Sequence, residues 1–138
     1  MLGAMTDVSN SGPLTVSVLT DAPVARVAAD ATLHEVAFLM AASDVGALVL
    51  GDGDDPVGIV TERDLVAALD ERRDPARTTA GEIASTRLVW CDGDATMPEV
   101  AEVMLERYVR HVLVEDEGRL AGIVSARDLL GAFTMSPT

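Results

Sequence analysis

The stretch Gly58-Ile59-Val60-Thr61-Glu62-Arg63-Asp64-Leu65 returns 64 residues later as Gly122-Ile123-Val124-Ser125-Ala126-Arg127-Asp128-Leu129. A repeat at a fixed offset means that one supersecondary unit is used twice, and this limits the fold more than any single element does. The offset holds without a gap elsewhere: Asp30-Ala31-Thr32 falls on Asp94-Ala95-Thr96, Glu35-Val36-Ala37 on Glu99-Val100-Ala101, Met40 on Met104 and Val45 on Val109. The chain has 138 residues, so each copy is small. A unit of about 60 residues buries only about 60% of its unfolded surface, so the two copies are expected to pack together.

Periodicity assigns the elements of each copy. Val24 to Val27 and its match Leu88 to Cys91 read as short extended runs. Leu33, Val36, Ala37 and Met40, matched by Met97, Val100, Ala101 and Met104, have the i, i+3, i+4, i+7 spacing of one buried helical face. Pro98 falls in the first turn of the second of these helices, where its missing N–H costs little. Apolar runs at Ala47 to Leu50 and Val112 to Val114 are followed by a polar turn and by Val57 to Val60 and Ala121 to Val124, which reads as a hairpin. A last helix covers about Glu62 to Leu69 and Ala126 to Phe133, with Leu65, Ala68 and Leu69 matching Leu129, Ala132 and Phe133. The expected fold is α+β: two β-α-β-β-α repeats with small mixed sheets. Residues 1–14 are a flexible tail, 15–70 the first repeat, 71–79 a polar, proline-broken linker, 80–134 the second repeat and 135–138 a short tail. A short helix over Ala80 to Ala84 leads into the second copy.

Composition removes several functions. Ten arginines and no lysine stand against 23 acidic residues, a formal charge of −13, which has the wrong sign for nucleic acid and excludes lysine Schiff bases and a Walker-type phosphate lysine. Cys91 is the lone cysteine, so there is no internal disulfide and no cysteine-rich zinc site. Neither a signal peptide nor a run of about 18 apolar residues is present, which gives the expectation of a cytoplasmic protein with no membrane partner. Only Phe38, Trp90, Tyr108 and Phe133 are aromatic, too few to stack single strands, so aliphatic groups would hold any aromatic ligand.

The Gly-x-x-Thr/Ser-x-x-Asp signature admits two readings. Thr61 with Asp64 and Ser125 with Asp128 fit a capping box, as do Thr32 with Glu35 and Thr96 with Glu99. The same hydroxyl and free helix N–H groups would suit an anion, and the Asp would suit a ribose diol. Local residue chemistry leaves both open.

These residues, with Asp-Ala-Thr-Leu-His-Glu-Val-Ala and Gly-Ala-Leu-Val, resemble a tandem pair of CBS domains, a Bateman module, over roughly Thr15 to Phe133. The chain is similar to small bacterial proteins with little beyond the pair. The resemblance implies a pseudo-two-fold packing of the repeats with clefts between them, a homodimer, and an adenosine-containing regulatory ligand such as AMP, ATP or S-adenosylmethionine, with no cofactor required. It implies ribose contacts from Asp64 and Asp128, and ribose or phosphate contacts from Thr61 and Ser125. Groups near Ala22 and Val24, or Thr86 and Leu88, would flank the adenine together with Ala47 or with His111 and Val112. Gly58 and Gly122 would permit close approach. Such clefts draw on both units, so these assignments can cross between copies.

The copies differ in charge. Val24 to Asp70 carries two arginines and Leu88 to Thr134 four, each against nine acids. Arg110-His111 aligns with Gly46-Ala47, and Ala126 replaces Glu62, so the second copy places cations where a phosphate would lie. The Asp128 motif is therefore the expected phosphate site, and the Asp64 motif holds an uncharged adenosyl group or nothing.

The remaining residues read as structural. His34 is a solvated helix residue, whereas His111 is a candidate contact. Gly51-Asp52-Gly53-Asp54-Asp55 lacks the other ligands of a calcium loop and reads as a hairpin turn. Cys91 is an inert thiol, Arg72, Arg73 and Arg77 belong to a solvated linker, and Met40 and Met104 fill core. With no nucleophile-base pair, metal cluster or cofactor fingerprint, the expectation is a non-enzymatic sensor. The alternative is a ligand-independent interaction or oligomerisation module, and in either case the protein target is unknown.

Overall fold

The computed structural model describes residues 14–20 and 22–135, without the side chains of Phe133 and Met135. The expected tails thus lie almost wholly outside the described residues, as does the expected role of the Phe133 side chain. The chain forms two compact units.

The first unit is built on β1 (Arg26–Val27), α1 (Leu33–Ser43), β2 (Ala47–Leu50), β3 (Gly58–Thr61), α2 (Glu62–Asp70) and α3 (Ala80–Ile83). Its sheet runs in the order β1-β2-β3, with β1 parallel and β3 antiparallel to β2. All four residues of β2 are buried, as expected of a central strand covered on both faces. Val27, Val36, Met40, Leu48, Leu50, Val60 and Ala80 form the core. Thr32 starts α1 as a full capping box, its Oγ1 accepting from Glu35 N–H (3.2 Å) and its own N–H donating to Glu35 Oε1 (2.8 Å). The buried stripe of α1 is narrower than its spacing predicts: Leu33, Val36 and Met40 are buried, but Ala37 is exposed. The i+4 position lies at the solvent flank of a helix that meets the sheet along one line. Leu69 is likewise exposed on α2, which packs through Leu65 and Ala68.

The second unit is built on β4 (Trp90–Asp92), α4 (Met97–Arg107), β5 (His111–Asp116), β6 (Arg119–Ser125) and α5 (Ala126–Met135). Its sheet has the order β4-β5-β6, with β4 parallel to β5. Met97, Val100, Met104, Val112, Leu113, Val114, Val124 and Leu129 are buried. Pro98 sits in the first turn of α4, behind the Thr96–Glu99 capping box. Bonds from Thr96 hold the Glu99 carboxyl below its ordinary pKa. Glu117 (φ 52°) and Gly118 (φ 77°) close the β5–β6 hairpin, the double positive φ that a two-residue turn matched to strand twist requires.

The compact units do not coincide with the sequence repeats. Residues 14–20 and Ala22 group with the second unit, whereas α3 with the segment through Val89, and the hairpin tip Glu117–Leu120, group with the first. Hydrogen bonds 64 residues apart show why. Val16 N–H donates to Ala95 O (2.8 Å), Ser17 N–H to Gly93 O (3.2 Å), and Met97 N–H to Leu14 O (3.1 Å). Correspondingly, Ala80 N–H donates to Ala31 O, Gly81 N–H to Ala29 O (both 2.8 Å), and Leu33 N–H to Thr78 O (3.0 Å). Each lead-in segment therefore satisfies backbone groups around the first helix of the other copy, and buries Val16 or Ala80 in that copy's core.

Candidate functional site

The repeated motif forms two capped strand-to-helix junctions. At the end of β3, Thr61 Oγ1 accepts from Asp64 N–H (3.3 Å), and Asp64 Oδ2 accepts from Thr61 N–H (2.8 Å) and Thr61 Oγ1–H (3.0 Å). At the end of β6, Ser125 Oγ accepts from Asp128 N–H (3.0 Å), and Asp128 Oδ2 accepts from Ser125 N–H (2.8 Å). Both motifs are thus capping boxes, with Asp doing what Glu does in α1 and α4. In each, the second carboxylate oxygen, Oδ1, has no hydrogen-bond partner among the described residues. Asp64 is half-buried and Asp128 exposed.

The backbone behind each cap is also matched. Gly46 O accepts from Glu62 N–H (3.0 Å), and Arg110 O accepts from Ala126 N–H (2.8 Å). Around these groups the side chains diverge. An ideal Cβ built on Gly46 would meet Glu62 Oε1 at 2.5 Å and Cδ at 3.2 Å, so the Glu62 carboxylate lies over Gly46. In the second unit Ala126 puts no carboxylate there, and the exposed Arg110 side chain has no ion-pair or hydrogen-bond partner among the described residues.

The first unit brings together Val24, Ala47, Gly58, Thr61 and Asp64 with Thr86 and Leu88. The second brings together Ala22, Arg110, His111, Val112, Gly122, Ser125 and Asp128. Ala22, Thr86 and Leu88 therefore cross between copies, whereas Val24 stays with its own. Ala47 and Val112 are core residues whose side chains face no solvent. What approaches the two glycines is the lead-in: a Cβ on Gly122 would stand 2.8 Å from Thr20 Cβ, and one on Gly58 3.2 Å from Ser85 O. Ser85 and Ile59 exchange both backbone bonds (2.8 and 2.9 Å), which seats Thr86 and Leu88 beyond the edge of β3. Sequence reasoning missed this use of the glycines, although the matched placement of Thr20 and Ala84 before each strand was visible.

The residues read as structural take those places. Arg26 donates to Gly51 O and Gly53 O (2.7 Å each), occupying loop carbonyls that a cation would use. Among the described residues no three His, Cys, Asp or Glu side chains converge as metal ligands. His34 is exposed on α1 beside Glu35, Phe38 and Leu39. Burial, with a smaller effect from Asp92, pushes the Cys91 thiol up to about 11, so it is protonated near neutrality. No described helix is long and apolar enough to cross a membrane.

Two three-stranded mixed sheets, each ending in a capped Gly-x-x-Thr/Ser-x-x-Asp junction, define a tandem pair of α+β units. The CBS domain model matches residues 10–71 and 80–134, and the chain belongs to that family. It is 39% identical over 113 residues to hypoxic response protein 1 of Mycobacterium tuberculosis, covering 80% of this chain and 79% of that protein. A crystal structure of hypoxic response protein I with two coordinated zinc ions is 37% identical, with a TM-score of 0.68 over 86% of this chain and 98% of that one. A CBS domain protein of Pyrobaculum aerophilum, solved in complex with AMP, is 29% identical, with a TM-score of 0.75 over 89% of this chain and 100% of that one.

Proposed function

We propose that this protein is a non-catalytic cytoplasmic sensor that binds an adenosine-containing ligand at its capped junctions. The observation that carries the reading is the division of labour within each Asp. Oδ2 holds the cap while Oδ1 is unused, so one residue can start a helix and still accept from a ribose hydroxyl. The AMP complex of a relative with this fold supports the ligand class. A ligand favouring one arrangement of the repeats would shift its population and be read by a protein target. Exposed Val66 and Leu69 on α2 and Leu130 on α5 supply apolar surface for the homodimer expected of the family.

The test is thermal unfolding with AMP, ADP, ATP, S-adenosylmethionine, NAD and a cyclic dinucleotide in turn. At 100 times Kd, binding adds about 2.7 kcal/mol, a rise of several degrees for a domain of this size. A rise with at least one ligand is expected. No rise with any of them would favour the second reading, a ligand-independent interaction module, for which the closed state of both capping boxes speaks.

A further inference from the structure

We infer that Glu62 sets the charge of the ligand accepted at the first junction: its carboxylate, seated over Gly46 at the start of α2, turns away phosphate and leaves that junction for an adenosyl group without one. The inference rests on the adenosyl reading above and adds to it which junction takes which ligand, and through which residue.

Neither the caps nor the helix ends discriminate, since both junctions have the same box and the same anchoring backbone bond. Arg63 and Arg127 occupy the same position in both, so they do not discriminate either. Ala47 against His111 and Thr61 against Ser125 also differ, but the difference in formal charge lies at two exchanged positions in contact with each other. Where the first junction has Gly46 under Glu62, the second has Arg110 and Ala126. The pairing is steric as well as electrostatic. Gly46 lacks the Cβ that would meet the Glu62 carboxylate at 2.5 Å, and the second junction, which has a Cβ at Arg110, has no carboxylate for it to meet. The exchange removes one negative charge and adds one positive charge at these two matched positions.

A carboxylate in the first turn of α2 already complements the helix N-terminus, so an incoming phosphate loses that attraction and meets a like charge. At the second junction the phosphate meets a guanidinium with no partner among the described residues. A neutral ribose contact at the Asp Oδ1 is unaffected by either side chain. Glu62 therefore acts as a specificity determinant for charge and leaves affinity for the nucleoside alone.

Calorimetric titration with AMP and with adenosine separates the two ligands. In an Asp128→Asn background, Glu62→Ala is expected to tighten AMP by about tenfold, with adenosine unchanged and the gain shrinking at high salt. In an Asp64→Asn background, Ala126→Glu is expected to weaken AMP by about tenfold, while Ala126→Gln, which adds the bulk without the charge, leaves it near the parent value. AMP and adenosine changing in parallel, or AMP indifferent to Glu62 while adenosine binds, would overturn the assignment to Glu62 alone. Failure of every form, the parent included, to bind either ligand would overturn the adenosyl reading and this inference with it.

Discussion

The two repeats share a scaffold and differ in what they put on it. The caps, the bond behind each cap and the lead-in bonds recur 64 residues apart. The positions that diverge are side chains at the junction and in the core: Gly46 and Glu62 against Arg110 and Ala126, Val16 against Ala80, and Val27 against Cys91. The hairpins also diverge without a change in length. Gly51 to Val57 forms a loop because Gly51 (φ 110°) and Gly53 (φ 58°) leave the extended region and Pro56 has no N–H to donate, whereas the matched residues extend both strands to a turn at Glu117 and Gly118. Backbone hydrogen bonds thus fix a symmetrical frame, and side-chain exchange within it makes two chemically different junctions.

The strongest test of that shared frame is its core. Met40 and Met104 are matched and buried on α1 and α4, and Met40→Ala and Met104→Ala are each expected to cost about 2–5 kcal/mol in denaturant unfolding. A large cost in one unit and none in the other would break the equivalence. Next comes the exchange of lead-ins. Val16→Ala is expected to cost about 2 kcal/mol and to lower hydrogen-exchange protection of the Met97 amide, which bonds to Leu14 O, ahead of that of Leu33. Thr61→Ala and Ser125→Ala remove matched caps and are expected to cost about 1 kcal/mol each.

The smallest effect belongs to the Val27 and Cys91 pair. The folded thiol holds its proton to about pH 11, above its ordinary value of 9.0, so the folded state binds more protons between those values. Its contribution to stability is full below pH 9 and falls as pH rises through that window. Cys91→Val is expected to flatten the unfolding profile there, and the native thiol to alkylate at pH 8 more slowly than an exposed cysteine.

The repeat made most of the fold legible, because each element could be read twice. The Thr32 and Thr96 boxes followed from spacing alone, and the hairpins from their apolar runs. What stayed hidden was spatial. Matching Thr15 with Thr79 shows that two segments are equivalent, but not that each bonds across to the other copy, to Thr96 and Thr32 respectively. The exposure of Ala37 depends on how α1 tilts on its sheet, which periodicity does not fix. At the junctions, the capping role of Asp64 and Asp128 was legible from spacing, whereas the ribose contact proposed for them rests on the unused Oδ1. The seat of the Glu62 carboxylate over Gly46 required side-chain geometry, although the paired replacement by Arg110 and Ala126 could be seen in the sequence.

The most direct test of the dual role is calorimetric titration of the parent protein, Asp64→Asn and Asp128→Asn with AMP, with unfolding midpoints measured in parallel. AMP affinity is expected to fall by roughly tenfold or more in the Asp128→Asn form, the loss expected of one charge-assisted hydrogen bond, while the protein stays folded. Equal AMP affinity in all three forms would contradict the claim that these carboxylates hold ligand as well as starting helices.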